Sequence, residues 1–213
     1  MEMLECRSQE ARGRSVSHLP DEVLARRAAA GHRECFEELL ARHRDRVYRL
    51  CYHLAGNAED AEDWAQECFV RVYRQLGHYH PEMAFTPWLL RVSANTCINL
   101  AKARARRQDR FLLGLNEGTM GETSRGAAPA PGDPLRAVLG AEEAQSVHAA
   151  IEALPPALRQ AVVLRVVEDL SFRELAEVLG VPLPTAATRV RRALLQVREC
   201  LVKAGIAVER SPK

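Results

Sequence analysis

Between Gly114 and Arg136, five glycines and three prolines fall within 23 residues. Glycine's backbone freedom and proline's missing N–H make that density incompatible with a packed helix or strand. The stretch reads as a flexible linker, placed at 112–133. It divides the chain into two small units, 19–111 and 134–205, with an arm at 1–18 that lacks steady periodicity and a short tail at 206–213. Helix is what the composition offers to fill them. Aromatic residues are 5% of the chain, and Ala, Leu, Arg and Glu crowd long unbroken segments, which favours helix over sheet. The expected fold class is therefore all-α: two small helical domains, an N-terminal helical bundle and a C-terminal helix-turn-helix, joined by the linker.

In the first unit the apolar pattern recurs at helical spacing. A helix is expected from near Asp21 to Gly31, and a second carries Phe36, Leu39, Leu40, His43, Val47, Leu50, Cys51 and Leu54 on one side, with Gly56 at its exit. Asn57 is a good N-cap for a third helix, whose inner face holds Trp64, Cys68, Val72 and Leu76 before Gly77 ends it. Thr86-Pro87 reads as N-cap and first helical position of a fourth helix running to about Arg107. After the linker, helix is expected from Asp133-Pro134 to about Ala153, and another from Leu154-Pro155-Pro156. The β-branched run Val162–Val167 leaves a strand as the alternative there, but the short following turn favours helix.

Ser171-Phe172-Arg173-Glu174 has the form of a capping box, with Ser171 and Glu174 bonding each other's backbone N–H. A short helix with Leu175, Ala176 and Leu179 inside then meets Gly180-Val181-Pro182. Gly180 permits a left-handed exit and Pro182 prevents continuation. A longer basic helix follows to about Val202, with Ala186, Val190, Leu194 and Val197 expected to face inward. Short helix, glycine turn and basic helix make a helix-turn-helix, whose second helix lies in the DNA major groove with its N-terminal residues at the base edges. Thr185, Thr188, Arg189, Arg191 and Arg192 are then the candidate contacts. The plainer alternative is a helical hairpin with a solvated basic face.

Charge is unevenly distributed although the net charge is only +2. Asn57–Val70 holds five acids (Glu59, Asp60, Glu62, Asp63, Glu67) and no Lys or Arg, whereas Ile98–Arg110 holds five bases against Asp109. Leu183–Lys203 again holds five bases against Glu199. One acidic and two basic patches suggest a protein partner and a polyanion. Of 30 cations, 27 are Arg, which suits bidentate phosphate and base contacts, though a GC-rich genome gives the same bias. His78, Tyr79, His80, Phe85 and Trp88 cluster just before the basic end of the fourth helix. Aromatic faces beside cations are how proteins hold unpaired bases, but Phe85 and Trp88, three apart, also fit a core. The acidic run is equally open, as a solvated face or a docking surface.

Several function classes are set aside. No uncharged stretch is long enough to span a bilayer, and the opening Met-Glu-Met-Leu-Glu-Cys-Arg carries charges where a signal peptide needs apolar residues. A cytoplasmic protein without membrane insertion is expected. No P-loop, nucleophile elbow or Ser/His/Asp constellation stands out, so no enzyme and no cofactor are expected. The six cysteines contain no C-x-x-C and are read as reduced core residues with no metal site. The alternative is a zinc or redox site, suggested by His32 three before Cys35 and His53 two after Cys51.

Gly56–Tyr73 (GNAEDAEDWAQECFVRVY), Phe85–Asn95 (FTPWLLRVSAN) with Asn99, and Leu154-Pro155 followed by the helix-turn-helix at Ser171–Arg192 together resemble bacterial sigma factors of the extracytoplasmic-function (ECF) class. The resemblance implies that 19–111 is sigma domain 2 and 134–205 sigma domain 4. It implies core RNA polymerase as partner, through the clamp helices of the largest subunit and the second-largest subunit, with Glu59, Asp60, Glu62, Asp63, Gln66, Glu67 and Arg71 at the contact. It implies recognition and melting of the −10 element by His78, Tyr79, His80, Trp88, Asn95, Asn99, Lys102, Arg104, Arg106 and Arg107. Duplex −35 recognition would fall to Arg173, Thr185, Ala187, Thr188, Arg189, Arg191 and Arg192, and an anti-sigma factor would control the protein. Pro184–Arg189 departs from the family's usual Gly-Thr-Val-Lys-Ser-Arg, so Ala187 lacks a basic group. Trp64 likewise stands where Leu is usual. The runner-up is a stand-alone helix-turn-helix repressor whose first unit is a dimerisation or ligand domain; a third option is a cysteine-based metal or redox sensor.

Overall fold

The computed structural model describes residues 16–80, 82–114 and 141–206, and among them there are eight helices and no strand. Most of the expected arm, of the linker and of the tail lies outside the described residues; Val16, assigned to the arm, is buried in the bundle core. Helix α1 (Asp21–Ala29) has Asp21 and Glu22 in its first turn and Arg26 and Arg27 in its last, the arrangement that complements the helix dipole. Helix α2 (Arg33–Ala55) buries Cys35, Leu39, His43, Val47, Leu50 and Leu54 along one stripe. It ends at Gly56 in the left-handed region, φ 85°. A Cβ there would also collide with the Glu152 side chain, so only glycine suits the position.

Helix α3 (Ala58–Gln75) starts at Asn57, whose side chain accepts from the Asp60 N–H at 2.8 Å. A 3-10 turn (Leu76–His78) leads toward α4 (Phe85–Gly114). This last helix begins one residue before the expected Thr86 cap and ends seven beyond Arg107. The Phe85 N–H donates to Glu22 Oε1 on α1 at 3.3 Å, so a neighbouring helix satisfies an end that Thr86 was expected to cap. At the other end the Ala/Arg/Leu run continues the helix through residues assigned to the linker, until its first glycine. Helix α2 lies at the centre of the bundle, against α1, α3 and α4. Trp64 is buried in that core.

In the second unit, α5 (Ala141–Glu152) and α6 (Pro156–Val162) lead into a π turn at Val163–Val167. The β-branched run is thus helical, but wound wide, with the Glu168 N–H bonding the Val163 carbonyl. Helix α7 (Phe172–Leu179) carries both bonds of the expected capping box and ends at Gly180, φ 63°. Helix α8 (Leu183–Lys203) packs on α5, α6 and α7. Leu194 does not face inward: it is 47% exposed, and Ala193 is buried in its place. The inward stripe runs Ala186, Val190, Ala193, Val197, Leu201, because steps of four with a three among them hold the phase of a 3.6-residue repeat.

The units meet at the C-terminal half of α2. Tyr52 stacks on His148 with ring centroids 4.6 Å apart, and His53 Nδ1 lies 3.4 Å from His148 Nδ1. Arg159 donates to the Leu54 carbonyl at 3.2 Å. Glu168, 4% exposed, sits 3.0 Å from Arg46 and 3.8 Å from Arg49. Helix α7 also packs against α4.

Candidate nucleic-acid and protein-docking surfaces

On α4, Asn95, Asn99, Lys102 and Arg106 are all exposed, and their spacing of four, three and four residues puts them on one face. Trp88, half-buried, lies on the same face at its N-terminal end, next to the loop that carries exposed His78 and His80. The stripe passes from aromatic to amide to cation, a sequence suited to stacking a base and then following its phosphates. Arg107 is exposed beside it, but Arg104 turns to the bundle, paired with Asp60 and 3.5 Å from the Ala55 carbonyl. Tyr79 is 7% exposed; its ring packs on Phe85 and Trp88 at 5.6 and 5.2 Å, and its hydroxyl donates to the Met83 carbonyl at 2.6 Å. Burial and the carboxylates of Glu22 and Asp21 push that hydroxyl up to about 12. Tyr79 holds the loop; it does not offer a stacking face in this conformation.

On α3, Glu59, Glu62, Asp63, Gln66 and Arg71 are exposed, while Glu67 is half-buried. Asp60 is also half-buried and belongs to the helix start: it accepts from the Asn57 amide at 2.7 Å in addition to pairing with Arg104. Between α2 and α3 runs a groove of about 1030 Å³ floored by Phe36, Leu40, Tyr48, Phe69 and Tyr73, with Glu62 and Gln66 on its wall. Val70 and Tyr73 beside the acids are 43% and 52% exposed. An apolar floor with a charged rim is the composition of a protein-binding surface. The acidic rim stands out in the sequence, whereas the apolar floor emerges only in the fold. The signal was there: Phe69, Val70 and Tyr73 fall outside the inward phase of Ala61, Trp64, Cys68 and Val72.

On α8, Thr185, Thr188, Arg189 and Arg192 share one face and line a small cleft against Leu158 of α6. Ala187 and Arg191 project from other parts of the helix circumference. The Thr188 hydroxyl is committed to the Pro184 carbonyl at 2.8 Å. Arg173 is exposed on the first turn of α7.

Neither cysteine–histidine pair forms a cluster. Instead Cys51, Cys68 and Cys97, one each from α2, α3 and α4, meet in the bundle core with no exposure. Cys51 lies 3.5 Å from Cys97 and 3.8 Å from Cys68, and Cys68 lies 3.9 Å from Cys97. Hydrogen bonds from Cys51 and Cys97 pull the Cys68 thiol down to about 5 and leave Cys51 and Cys97 well above the ordinary thiol range. Separations of 17 and 29 residues hid the group from any local motif.

Residues 39–109 match the family described as Sigma-70 region 2, and residues 144–197 that described as Sigma-70, region 4. The chain is 32% identical over 172 residues to the ECF RNA polymerase sigma factor SigW of Bacillus subtilis, covering 80% of this chain and 91% of the relative. It is 37% identical over 168 residues to the ECF RNA polymerase sigma factor SigE of Mycolicibacterium smegmatis, covering 79% of this chain but 62% of that longer protein. Among solved structures, CnrH in complex with the cytosolic domain of CnrY superposes with a TM-score of 0.61 at 24% identity, covering 86% of this chain and 97% of that one.

Proposed function

The chain belongs to the extracytoplasmic-function sigma factors, the non-enzymatic polymerase subunits that direct promoter-specific initiation, and we propose that it divides this work among the three surfaces described above. The α2–α3 groove and its acidic rim (Glu62, Asp63, Gln66) dock on core RNA polymerase. The exposed stripe of α4, from Trp88 to Arg106, receives the melted −10 strand, and the Thr185–Arg192 face of α8 reads the −35 duplex. The observation that carries the reading is the registration of Asn95, Asn99, Lys102 and Arg106 on one helix face, leading away from an aromatic end. Stacking and phosphate contacts stabilise opened DNA, while nucleotide transfer stays with the polymerase. Each unit alone offers a small interface, and holding both on one polymerase raises the effective concentration of each for its element.

This assignment places the protein in the cytoplasm with the polymerase. No helix among the described residues is long and apolar enough to cross a membrane. CnrH was solved with the cytosolic domain of CnrY, which supports a protein partner beyond the polymerase; an anti-sigma factor that covers the surfaces above is the partner proposed here. The domain boundaries, 19–111 and 134–205, are part of the proposal. The test is association of fluorescently labelled protein with core polymerase. The Glu62→Lys/Asp63→Lys double variant should lose association while keeping its helical circular dichroism; unchanged association would remove the docking assignment. Asp60 is left out because its substitution would also unseat the α3 cap.

A further inference from the structure

The three-sulfur cluster takes part in none of these surfaces. We propose that Cys51, Cys68 and Cys97 form a tris-thiolate site for a trivalent thiophilic ion of the arsenite class, with one ligand from each of α2, α3 and α4. The sulfurs form a nearly equilateral triangle with sides of 3.5, 3.8 and 3.9 Å. The point equidistant from all three lies about 2.2 Å from each, close to the zinc–thiolate distance of about 2.3 Å. An ion therefore fits just above the sulfur plane, where a pyramidal three-coordinate centre sits, with sub-ångström adjustment of the helices.

Two features choose among thiophilic ions. The first is coordination number. Among the described residues no fourth Cys, His or carboxylate atom joins the group, and the zero exposure of the three side chains keeps solvent from completing a tetrahedron. Zinc, which takes four ligands in structural sites, is poorly served; trivalent arsenic takes three and points a lone pair at the fourth position. The second is charge, which a dry core penalises heavily. Three thiolates leave one surplus negative charge with Zn(II) and two with Cu(I), but none with As(III). The carboxylate of Glu67 also acts on Cys68 and adds to the cost of any surplus.

Binding needs no oxidant or reductant. Arsenous acid exchanges three As–O bonds for three As–S bonds, and each thiol proton leaves on a departing oxygen as water. Because the sulfurs are covered, entry requires local opening of the bundle, so the binding rate should saturate at the opening rate as arsenite is raised. The bound ion ties three helices together and should raise the thermal midpoint of the N-terminal unit.

The experiment is titration of the reduced full-length protein with sodium arsenite, read by native mass spectrometry, near-ultraviolet As–S absorption and thermal melting. One arsenic atom per chain, with the loss of three hydrogens, is expected. Cys68→Ala and Cys97→Ala should each bind about a hundredfold more weakly or worse, since loss even of a group supporting a ligand costs 10–100-fold; Cys35→Ala and Cys200→Ala should bind as the parent does. Circular dichroism checks that each variant is folded, and should the core variants fail to fold, the mass change of the parent decides alone. No arsenic on the folded parent, an adduct that has lost only two thiol hydrogens, undiminished binding in folded Cys68→Ala, or zinc that binds and excludes arsenite would each overturn the proposal.

Discussion

Single residues in the N-terminal unit have to satisfy the core first, and the candidate site contains residues that do only that. Tyr79 is the clearest case, with its ring between Phe85 and Trp88 and its hydroxyl on the Met83 carbonyl. Tyr79→Ala should lower unfolding free energy by about 3 kcal/mol, measured by urea denaturation; a change below about 1 kcal/mol, the scale of surface substitutions, would mean the ring is free for DNA. His43 makes a second test. Burial holds its imidazole below the ordinary 6.5, outweighing the upward pull of Asp21, 2.7 Å from Nε2, while Arg46 and Arg42 push it further down. A base depressed in the folded state contributes stability that is complete above pH 6.5 and lost as pH falls toward the depressed value. Thermal midpoints should therefore drop between pH 7 and pH 5, and His43→Gln should flatten that slope; parallel slopes would exclude His43 as the cause. Residue identity alone could mark Tyr79 as aromatic and Arg104 as basic. It could not reveal that Phe85 and Trp88 turn back onto the first ring, or that the second is paired with Asp60 on another helix.

At the scale of elements the sequence was most legible where local chemistry decides. Asn57, Gly56, the Ser171–Glu174 box and Gly180 each fix an end through backbone bonds within a few residues, and those ends fall where expected. The start of α4 was not legible, since Glu22 of α1 satisfies the Phe85 N–H. The groove floor was missed for a related reason: apolar residues on the outer side of α3 read as scatter until α2 is seen beside them. Val70→Asp should weaken polymerase association chiefly by faster dissociation, whereas the rim variant Glu62→Lys should act chiefly through slower, more salt-sensitive association; surface plasmon resonance separates the two, and identical kinetic profiles would argue against a floor and a rim. On α8, Arg192→Ala should cost on the order of 1–3 kcal/mol on the preferred −35 duplex if it reads a base. An effect confined to the salt slope would reassign it to phosphate.

Taken whole, the molecule holds its two units against each other through a polar contact around Glu168, and α7 rests on the helix proposed to receive the −10 strand. Burial pushes the Glu168 carboxyl above its ordinary pKa despite Arg49 and Arg46, a sign of how much the charge costs to bury; a glutamine amide of the same shape costs less to bury and still accepts from the guanidiniums, so it should hold the contact as well. Glu168→Gln should leave the radius of gyration in small-angle X-ray scattering unchanged, and Glu168→Lys, a third cation beside Arg46 and Arg49, should increase it. No increase would mean that the apolar part of the contact holds the units together. Two units and a connector are legible in the sequence but this contact is not, because no local pattern encodes which surfaces of separate units will pair. That the chain directs promoter-specific initiation is checked by run-off transcription with core RNA polymerase across genomic promoter fragments, with and without the protein. Specific transcripts that appear only when it is added, and vanish with the Glu62→Lys/Asp63→Lys variant, are the predicted result. Silence from an active core, together with tight binding of the protein alone to a palindromic duplex, would contradict it and point to a repressor.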